Sequence, residues 1–203
     1  MDLSLIIPCR DLENYVGKLV ESLNEQQFTM NLEIMFICDS CTDKTFNVIF
    51  KNLNKNKYKN FKIVEGNFGS VGYARNYGLE NTTGKYIWFI DGDDWLTYDN
   101  AIEDVYQAMV KNNLDIGEFR IKSVANPYGV YGLATVWRVM YSRNIIGNAR
   151  FEPLPIGEDN VFNDIVFNRG GKYQKIDIAP YFYNHPRKGS NMDLIYHYFK
   201  DDE

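Results

Sequence analysis

The first 113 residues alternate short apolar runs with segments in which apolar residues recur at helical spacing. The apolar runs are Leu3–Ile7, Leu32–Cys38, Phe61–Val64 and Lys85–Ile90. Short runs that are apolar along their length are typical of strands buried on both faces, as in parallel sheets covered by helices. The segments between them predict helices over residues 13–26, 46–53, 69–80 and 99–112. We therefore expect an α/β fold, with a mostly parallel, doubly wound sheet and helices on both faces.

After residue 113 the pattern is less regular. Strands are expected over Asp115–Val124 and Tyr173–Ile178, and helices over Val136–Asn144 and Asn160–Phe167. No flexible linker divides the chain, so residues 1–203 are expected to form one domain. Within it, residues 1–113 would bind the main ligand, and residues 114–203 would form a compact half that completes the substrate site.

Charge, cysteine content and hydropathy exclude several classes of function. The chain holds 22 Lys and Arg against 27 Asp and Glu, a balance that does not favour binding to nucleic acid. Cys9, Cys38 and Cys41 lack the repeated pairs of a zinc site, so we expect reduced thiols in a cytoplasmic protein. No apolar run approaches the roughly 20 residues that cross a bilayer. A soluble protein without a transmembrane segment is expected, with peripheral membrane contact left open.

Three polar turns follow predicted strands of the first half. They are Pro8–Asp11, Asp39–Asp43 and Asp91–Asp94. Doubly wound sheets bind their ligands beyond the carboxyl ends of the parallel strands. Since all three turns fall at those ends, we expect them to meet at one edge of the sheet and to form a ligand site.

The turn Asp91–Asp94 carries three carboxylates in four residues, and these repel one another. A hard divalent cation would relieve the repulsion and could join the turn to a diphosphate. Taken alone, the same residues also suit a solvated acidic turn before a helix, because aspartate is favoured at the positive end of a helix.

Two further segments offer groups for chemistry. The glycines of Asn67–Gly78 let the backbone approach a ligand, and Arg75 could reach a phosphate with its planar guanidinium. The alternative for that segment is a helix N-terminus with a surface arginine. In the pair Glu158–Asp159, one carboxylate could act as a general base on a hydroxyl. The alternative for the pair is capping of a helix N-terminus.

The segment Tyr181–Ser190 places a histidine and two cations late in the chain. His185 is one of only two histidines, and it is a candidate metal ligand or hydrogen-bond donor to phosphate. The alternative is an exposed basic loop that follows an aromatic strand.

In this order, the segments resemble a family 2 glycosyltransferase of the GT-A fold, which is Rossmann-like. The resemblance covers nearly the whole chain. It is carried by Ile7–Asp11, Ile37–Asp43, Asn67–Gly78, Asp91–Asp94, the set Trp137, Tyr141 and Arg143, the pair Glu158–Asp159, and Tyr181–Ser190. Each segment is a weak signal alone, and their shared order makes the set specific.

The resemblance implies that a sugar moves, with inversion, from a nucleoside-diphosphate sugar to an acceptor hydroxyl. The donor is expected to be a UDP-sugar. The acceptor would be a glycan, a lipid-linked molecule or a protein, and the cofactor would be Mn²⁺ or Mg²⁺. Asp159 would be the catalytic base beside Glu158, and the metal ligands would be Asp91, Asp93 and His185. Contacts with the donor and its nucleotide are implied for Pro8, Arg10, Asp39, Arg75, Asp91, Gly92, Arg187 and Ser190. Residues 1–113 then become the nucleotide-sugar half and residues 114–203 the acceptor and base half.

The chain departs from the family pattern at three places. Arg10 and Asp11 replace the usual Tyr and Asn, Cys38 replaces the first Asp of a pair, and the segment 124–136 is short where acceptor elements often lie. These departures keep open a non-catalytic module that binds a nucleotide-sugar or glycan. A nucleotidyltransferase is a further alternative, but its Gly-rich loop would stand where this chain has Pro8–Asp11. The acidic balance disfavours a transferase that acts on DNA bases.

Overall fold

The computed structural model describes residues 1–129, 135–154 and 156–185. The elements within these ranges are β1 (Leu3–Cys9), α1 (Val16–Glu25), β2 (Leu32–Asp39), α2 (Thr45–Asn52), β3 (Phe61–Gly66), α3 (Val71–Asn81), β4 (Tyr86–Phe89), β5 (Trp95–Leu96), α4 (Ala101–Lys111), β6 (Ile116–Ser123), a 3₁₀ turn (Val136–Arg138), β7 (Val139–Ser142), α5 (Arg143–Ile146), α6 (Glu158–Phe167) and β8 (Tyr173–Tyr183). None of the helices in this part of the chain is both long enough and apolar enough to cross a bilayer.

All eight strands belong to one sheet, in the order β3-β2-β1-β4-β7-β6-β8-β5. The first four of that order run parallel to one another. β7 is antiparallel to both β4 and β6, whereas β8 is parallel to β6 and antiparallel to β5. Parallel pairs therefore predominate among the described strands, which confirms the expected α/β class.

Helices cover both faces of the sheet. Leu5 and Ile7 of β1 lie in one buried cluster with residues of α1, α2 and α4. Ile6, between them, lies in a second cluster with residues of α3, α5 and α6. Because successive side chains of a strand point to opposite faces, the two clusters are the two faces of the sheet. The expected doubly wound arrangement is confirmed.

α3 approaches the sheet closely, and this fixes the position of the residues it carries. A Cβ on Gly78 would lie 2.3 Å from Cγ2 of Ile6, so a side chain there would force the helix away from β1. The first turn is capped by Ser70, whose Oγ accepts a 3.1 Å hydrogen bond from the N–H of Tyr73. Since α3 follows β3, its first turns, with Arg75, lie at the carboxyl ends of the parallel strands.

The second half differs from the sequence-based expectation at residues 136–144. The helix predicted over Val136–Asn144 is wrong: this segment forms a 3₁₀ turn, the strand β7 and the first residues of α5. β7 lies between β4 and β6, and Val139 and Met140 are buried there. A short apolar segment inserted between two strands is covered on both faces, so its sequence does not show the alternation that separates a strand from a helix. β8 also extends five residues beyond the predicted Ile178.

Candidate active site

Arg75 joins three segments of the chain at one edge of the sheet. Its side chain is 3% exposed. Nη1 donates hydrogen bonds to Oε1 of Glu158 at 2.9 Å and to Oδ1 of Asp159 at 2.6 Å, and Nη2 donates to Oδ1 of Asp91 at 2.8 Å. The second oxygen of Asp159 accepts a 3.2 Å hydrogen bond from the N–H of Val136. We call Arg75, Asp91, Glu158 and Asp159 the arginine cluster.

The electrostatics of the arginine cluster favour proton transfer at Asp159. Burial raises the pKa of Asp159 to about 7, with further raising by Asp91 and Glu158, while Arg75 and the Val136 N–H oppose the shift. Burial alone would lower the pKa of Arg75, but its three carboxylates outweigh that effect and raise it. Arg75 therefore stays charged, and Asp159 can take up or release a proton near neutral pH.

α6 places both acidic residues of the pair. Gly157 precedes the helix with φ of 83°, a left-handed conformation that glycine adopts without strain. Glu158 and Asp159 occupy the first turn, where the positive end of the helix favours acidic residues. Their carboxylates turn towards Arg75, so the pair does more than cap the helix.

Asp94 has a different environment, although it is only three residues from Asp91. It is 1% exposed, and its carboxyl group accepts hydrogen bonds from the hydroxyl of Tyr181 at 2.6 Å and from the N–H of Asn184 at 2.8 Å. Burial raises the pKa of Asp94 well above its usual range, and Asp93 and Asp91 add to the shift. We call Asp94, Tyr181 and Asn184 the Asp94 anchor.

The Asp94 anchor also holds the backbone of the acidic turn. The N–H of Asp91 donates a 3.1 Å hydrogen bond to the Tyr181 hydroxyl, and Nδ2 of Asn184 donates to the carbonyl oxygen of Asp93 at 3.1 Å. The turn also packs tightly against β1, because a Cβ on Gly92 would lie 2.7 Å from Sγ of Cys9. Asp91 and Asp93, both half-buried, are thus held at fixed points on either side of Gly92.

Asp39 ties the end of β2 to the loop that precedes α3. It is buried, and its Oδ1 accepts hydrogen bonds from the N–H groups of Phe68 at 2.7 Å and Gly69 at 3.2 Å. The neighbouring N–H of Ser40 donates to the carbonyl oxygen of Gly66 at 2.7 Å. The position of the Arg75 helix is therefore linked to the turn after β2.

Comparison with known proteins identifies the family. The sequence model of the family described as "Glycosyl transferase family 2" matches residues 4–159. The chain belongs to glycosyl transferase family 2. Among curated relatives, the "Glycosyltransferase GlyA" of Streptococcus pneumoniae serotype 4 is 26% identical over 93% of this chain. The "Poly(ribitol-phosphate) beta-N-acetylglucosaminyltransferase TarS" of Staphylococcus aureus is 24% identical over 97% of this chain. The chain covers 31% of the first relative and 38% of the second.

Solved structures show the same fold. The structure of S. aureus TarS 1-349 in complex with UDP-GlcNAc superposes with a TM-score of 0.84 and 23% identity, covering 95% of this chain and 60% of that one. The mannosyltransferase PcManGT from Pyrobaculum calidifontis, in complex with GDP-Man and Mn²⁺, gives a TM-score of 0.76 at 13% identity, covering 98% of this chain and 64% of that one. These similarities confirm the GT-A fold expected from the sequence.

The family 2 fold brings some of the predicted site residues together and leaves others apart. Pro8 is buried beside the acidic turn, since its carbonyl oxygen would lie 3.0 Å from a Cβ on Gly92, and Arg10 is exposed beyond it. His185 follows Asn184, and its ring stacks on Tyr183 with the ring centroids 5.3 Å apart. Two further predicted donor residues, Arg187 and Ser190, lie outside the described residues.

Within the described ranges, one group of three potential metal ligands has its ligand atoms within 4.8 Å of one another, and it is Asp11, Cys41 and Asp43. Its carboxylates hold loops together: Asp11 accepts from the N–H of Thr42 at 2.7 Å, and Asp43 accepts from the N–H of Glu13 at 2.8 Å. Asp91, Asp93 and His185 are not brought within that spacing. Ligation of a metal by these three residues stays a prediction.

Sequence reasoning missed three residues that build the site. Tyr181 and Asn184 hold the acidic turn, as described above. The side-chain amide of Asn76 exchanges two 2.8 Å hydrogen bonds with the backbone of Phe151, which fastens the segment leading to α6. All three lie in segments that the sequence singles out, Asn67–Gly78 and Tyr181–Ser190, but those motifs do not show what each side chain contacts.

Proposed function

We propose that this chain is the catalytic domain of an inverting, metal-assisted glycosyltransferase. It would move a sugar from a UDP-sugar to a hydroxyl of an acceptor glycan. The observation that carries the proposal is the arginine cluster, which sets the acidic turn and the Glu158–Asp159 pair side by side at the ligand-binding edge of the sheet. Family membership supports the same class of reaction.

Asp159 is proposed as the general base. Its carboxylate takes the proton of the acceptor hydroxyl while that oxygen attacks the anomeric carbon of the sugar, and the bond from this carbon to the diphosphate oxygen breaks. Attack from the face opposite the leaving diphosphate inverts the carbon, so one base is sufficient. A retaining glycosidase, in contrast, needs a second carboxylate as nucleophile. A pKa of about 7 matches this role, because the base must accept a proton and later release it.

Arg75 is proposed to position Asp159 and Asp91. Three of the five N–H bonds of a guanidinium are needed for the three hydrogen bonds of the arginine cluster. Glu158 shares Nη1 with Asp159, so it adds a second negative charge that holds the guanidinium in place. The direct contact of Arg75 with the donor, implied by the resemblance, stays a prediction that the remaining N–H groups would have to fulfil.

The residues of the acidic turn fit a divalent cation. Asp91 and Asp93 present carboxylate oxygens, which are hard ligands suited to Mn²⁺ or Mg²⁺, and the Asp94 anchor fixes the turn between them. Asp94 itself is buried and used as an anchor, so we assign ligation to Asp91 and Asp93, with His185 as a candidate third ligand. A cation held there would neutralise charge on the diphosphate. The Mn²⁺ complex of PcManGT supports the choice of ion.

The donor and acceptor are inferred from relatives. TarS structures carry UDP and UDP-GlcNAc, which supports a UDP-sugar bound along Pro8, Arg10, Asp39 and the acidic turn. Several relatives are named for poly(ribitol-phosphate) or teichoic acid. We therefore favour a hydroxyl-rich polymer of this kind among the glycan, lipid-linked and protein acceptors expected from the sequence.

The experiment measures UDP binding and UDP release. Calorimetric titration with UDP, with and without Mn²⁺, tests the donor site, and release of UDP from UDP-sugars with poly(ribitol-phosphate) tests turnover. Asp159→Asn should lower turnover by roughly 10²- to 10⁴-fold, as expected for loss of a general base, while UDP affinity stays close to wild type. Asp164→Asn, an exposed change on the same helix, is the matched control and should leave turnover unchanged.

Three results would contradict parts of the proposal. Absence of UDP binding would contradict the donor site. UDP binding without turnover of any UDP-sugar would favour the non-catalytic module. Turnover that Asp159→Asn leaves intact would remove the role of Asp159 as base.

A further inference from the structure

Two cysteines stand in the turn after β2 with the spacing Cys-x-x-Cys. Cys38 is buried near the end of β2, and Cys41 is partly exposed beyond the turn. Between them, Ser40 has φ of 52°, a left-handed conformation that bends the chain. Cys38 pairs in register with Cys9 of β1, and the thiol of Cys41 donates a 3.5 Å hydrogen bond to the carbonyl oxygen of Cys9, so the bend brings Cys41 back beside the end of β2. The Cys-x-x-Cys spacing is that of thiol pairs that form disulfides.

The two thiols differ in reactivity. The hydrogen bond from Cys38 and a second from the Asp11 N–H outweigh burial and the repulsion of Asp43 and Asp11, and they lower the pKa of Cys41 to about 7. The same contact and burial raise the pKa of Cys38. An accessible thiolate beside a buried thiol gives the pair an attacking and a resolving sulfur.

The third thiol lies close by but plays a different part. Cys9 is buried, and burial raises the pKa of its thiol well above the usual value. Its carbonyl oxygen accepts a 3.5 Å hydrogen bond from the thiol form of Cys41. Cys9 therefore lines the pair without a thiolate of its own, and it serves as an internal control.

We propose that Cys38 and Cys41 are an oxidation site, at which a reversible disulfide weakens binding of the donor. The thiolate of Cys41 attacks a sulfur of a low-molecular-weight disulfide, whose S–S bond breaks and releases one thiolate. Cys38 then loses its proton, attacks the Cys41 sulfur and expels the second thiolate. The two cysteine sulfurs are oxidised, and one external disulfide is reduced to two thiols.

The disulfide would act on the donor site through the two residues it encloses. Asp39 accepts the N–H groups of Phe68 and Gly69, and Ser40 donates to Gly66. A disulfide requires a specific torsion angle about its S–S bond and a specific distance between the two sulfurs. Forming it between Cys38 and Cys41 would therefore change the backbone that orients the Asp39 carboxylate and the Ser40 N–H. The loop before α3 then shifts. Weaker donor binding rests on the proposed function, whereas disulfide formation does not.

The first experiment follows the thiols by mass spectrometry. Treatment of the full chain with glutathione disulfide should remove two hydrogen atoms without leaving an adduct, and the count of titratable thiols should fall from three to one. Peptide mapping should link Cys38 to Cys41. Cys38→Ala should instead retain glutathione on Cys41, Cys41→Ser should gain neither change, and Cys9→Ala should still form the disulfide. Three free thiols after treatment of the wild type would overturn the proposal.

The second experiment compares UDP affinity in the reduced and oxidised protein. Oxidation should weaken UDP binding by about tenfold, and reduction with dithiothreitol should restore it. The Cys41→Ser variant should keep its affinity throughout. Equal affinities of the oxidised and reduced wild type would overturn the coupling. Failure of the reduced protein to bind UDP would instead count against the proposed function, since disulfide formation is measured independently.

Discussion

Asp91 and Asp94 lie three residues apart, yet they belong to two clusters with opposite properties. In the arginine cluster, a permanent cation is shared by three carboxylates, two of which remain partly accessible. In the Asp94 anchor, one buried carboxyl group accepts hydrogen bonds from a hydroxyl and a backbone N–H, both of them neutral donors. The difference shows that the environment of a carboxyl group, and not its residue type, separates the two clusters: Arg75 gathers three carboxylates around one charge, whereas neutral donors hold Asp94 as a buried support.

The largest loss of stability is expected from Arg75→Ala, which removes the cation of the arginine cluster. The change would leave three carboxylates together without their cation, so the free energy of unfolding should fall by about 3–5 kcal/mol. Thermal unfolding should shift downward by roughly 10 °C for a chain of this size. Arg150→Ala, which removes a partly exposed arginine paired with the exposed Glu80 at 3.3 Å, should cost no more than about 1 kcal/mol. Equal stability losses in the two variants would contradict the central role of Arg75.

The second prediction concerns the pH dependence of turnover, which should follow the charge of Asp159 in the arginine cluster. As the proposed base, Asp159 would act when deprotonated, and burial raises its pKa to about 7, so kcat/KM should rise about tenfold per pH unit below that value and level off above it. A cation bound at Asp91 would move this limb to lower pH, because positive charge favours the carboxylate. The measurement is kcat/KM for UDP release between roughly pH 5 and 9, a range that brackets this pKa. A profile without this limb in the wild type would exclude Asp159 as the titrating base.

A smaller effect is expected when the Asp94 anchor is weakened. Tyr181→Phe removes the hydroxyl that donates to Asp94 and accepts from the Asp91 N–H, so it should cost about 1–3 kcal/mol of stability. It should also weaken Mn²⁺ binding, measured by titration in the presence of UDP. Tyr128→Phe removes a hydroxyl from a residue that is 89% exposed, and it should change neither quantity. Unaltered stability and Mn²⁺ affinity in Tyr181→Phe would show that the hydroxyl does not hold the turn.

The smallest effect should come from Gly92→Ala, between the two clusters. The added methyl group would lie 2.7 Å from Sγ of Cys9 and Cδ1 of Leu12, so the turn or these side chains must shift, at a cost of about 1–2 kcal/mol. Gly17→Ala in α1 meets only Val48, at 3.9 Å, and should be neutral or stabilise by up to about 0.5 kcal/mol. Denaturant titration of both variants measures the difference. A stabilised Gly92→Ala would contradict tight packing of the turn on β1.

The parallel half of the fold was predictable because its strands are apolar along their length. β1, β2, β3 and β4 each lie within two residues of the runs predicted for them. β7 was not predictable, since Val139 and Met140 could serve a buried helix or a buried strand equally well. β5 consists only of Trp95 and Leu96, and it is a strand because it pairs with β8. A pairing with a distant strand leaves no pattern in the local sequence from which β5 could be predicted.

The candidate site was predictable in its residue types and not in its contacts. Arg75, Asp91 and Asp159 stand out as motif residues, but their hydrogen bonds join positions 16 and 84 residues apart in sequence. Burial of Asp94 depends on Tyr181, 87 residues later. Aspartate residues with similar sequence surroundings therefore differ in role: Asp159 is the proposed base and Asp94 is a buried support, and only the tertiary contacts distinguish them.

The position of β8 has a consequence for how the molecule is assembled. Asp94 and Asn184 are 90 residues apart, and β8 lies between β6 and β5. During synthesis from the N-terminus, the acidic turn emerges long before the strand that holds it. Contacts of such sequence separation form late and slow the folding of a domain. The acidic turn in the first half of the chain therefore becomes fixed only after β8 and Asn184 have been synthesised and have folded against it.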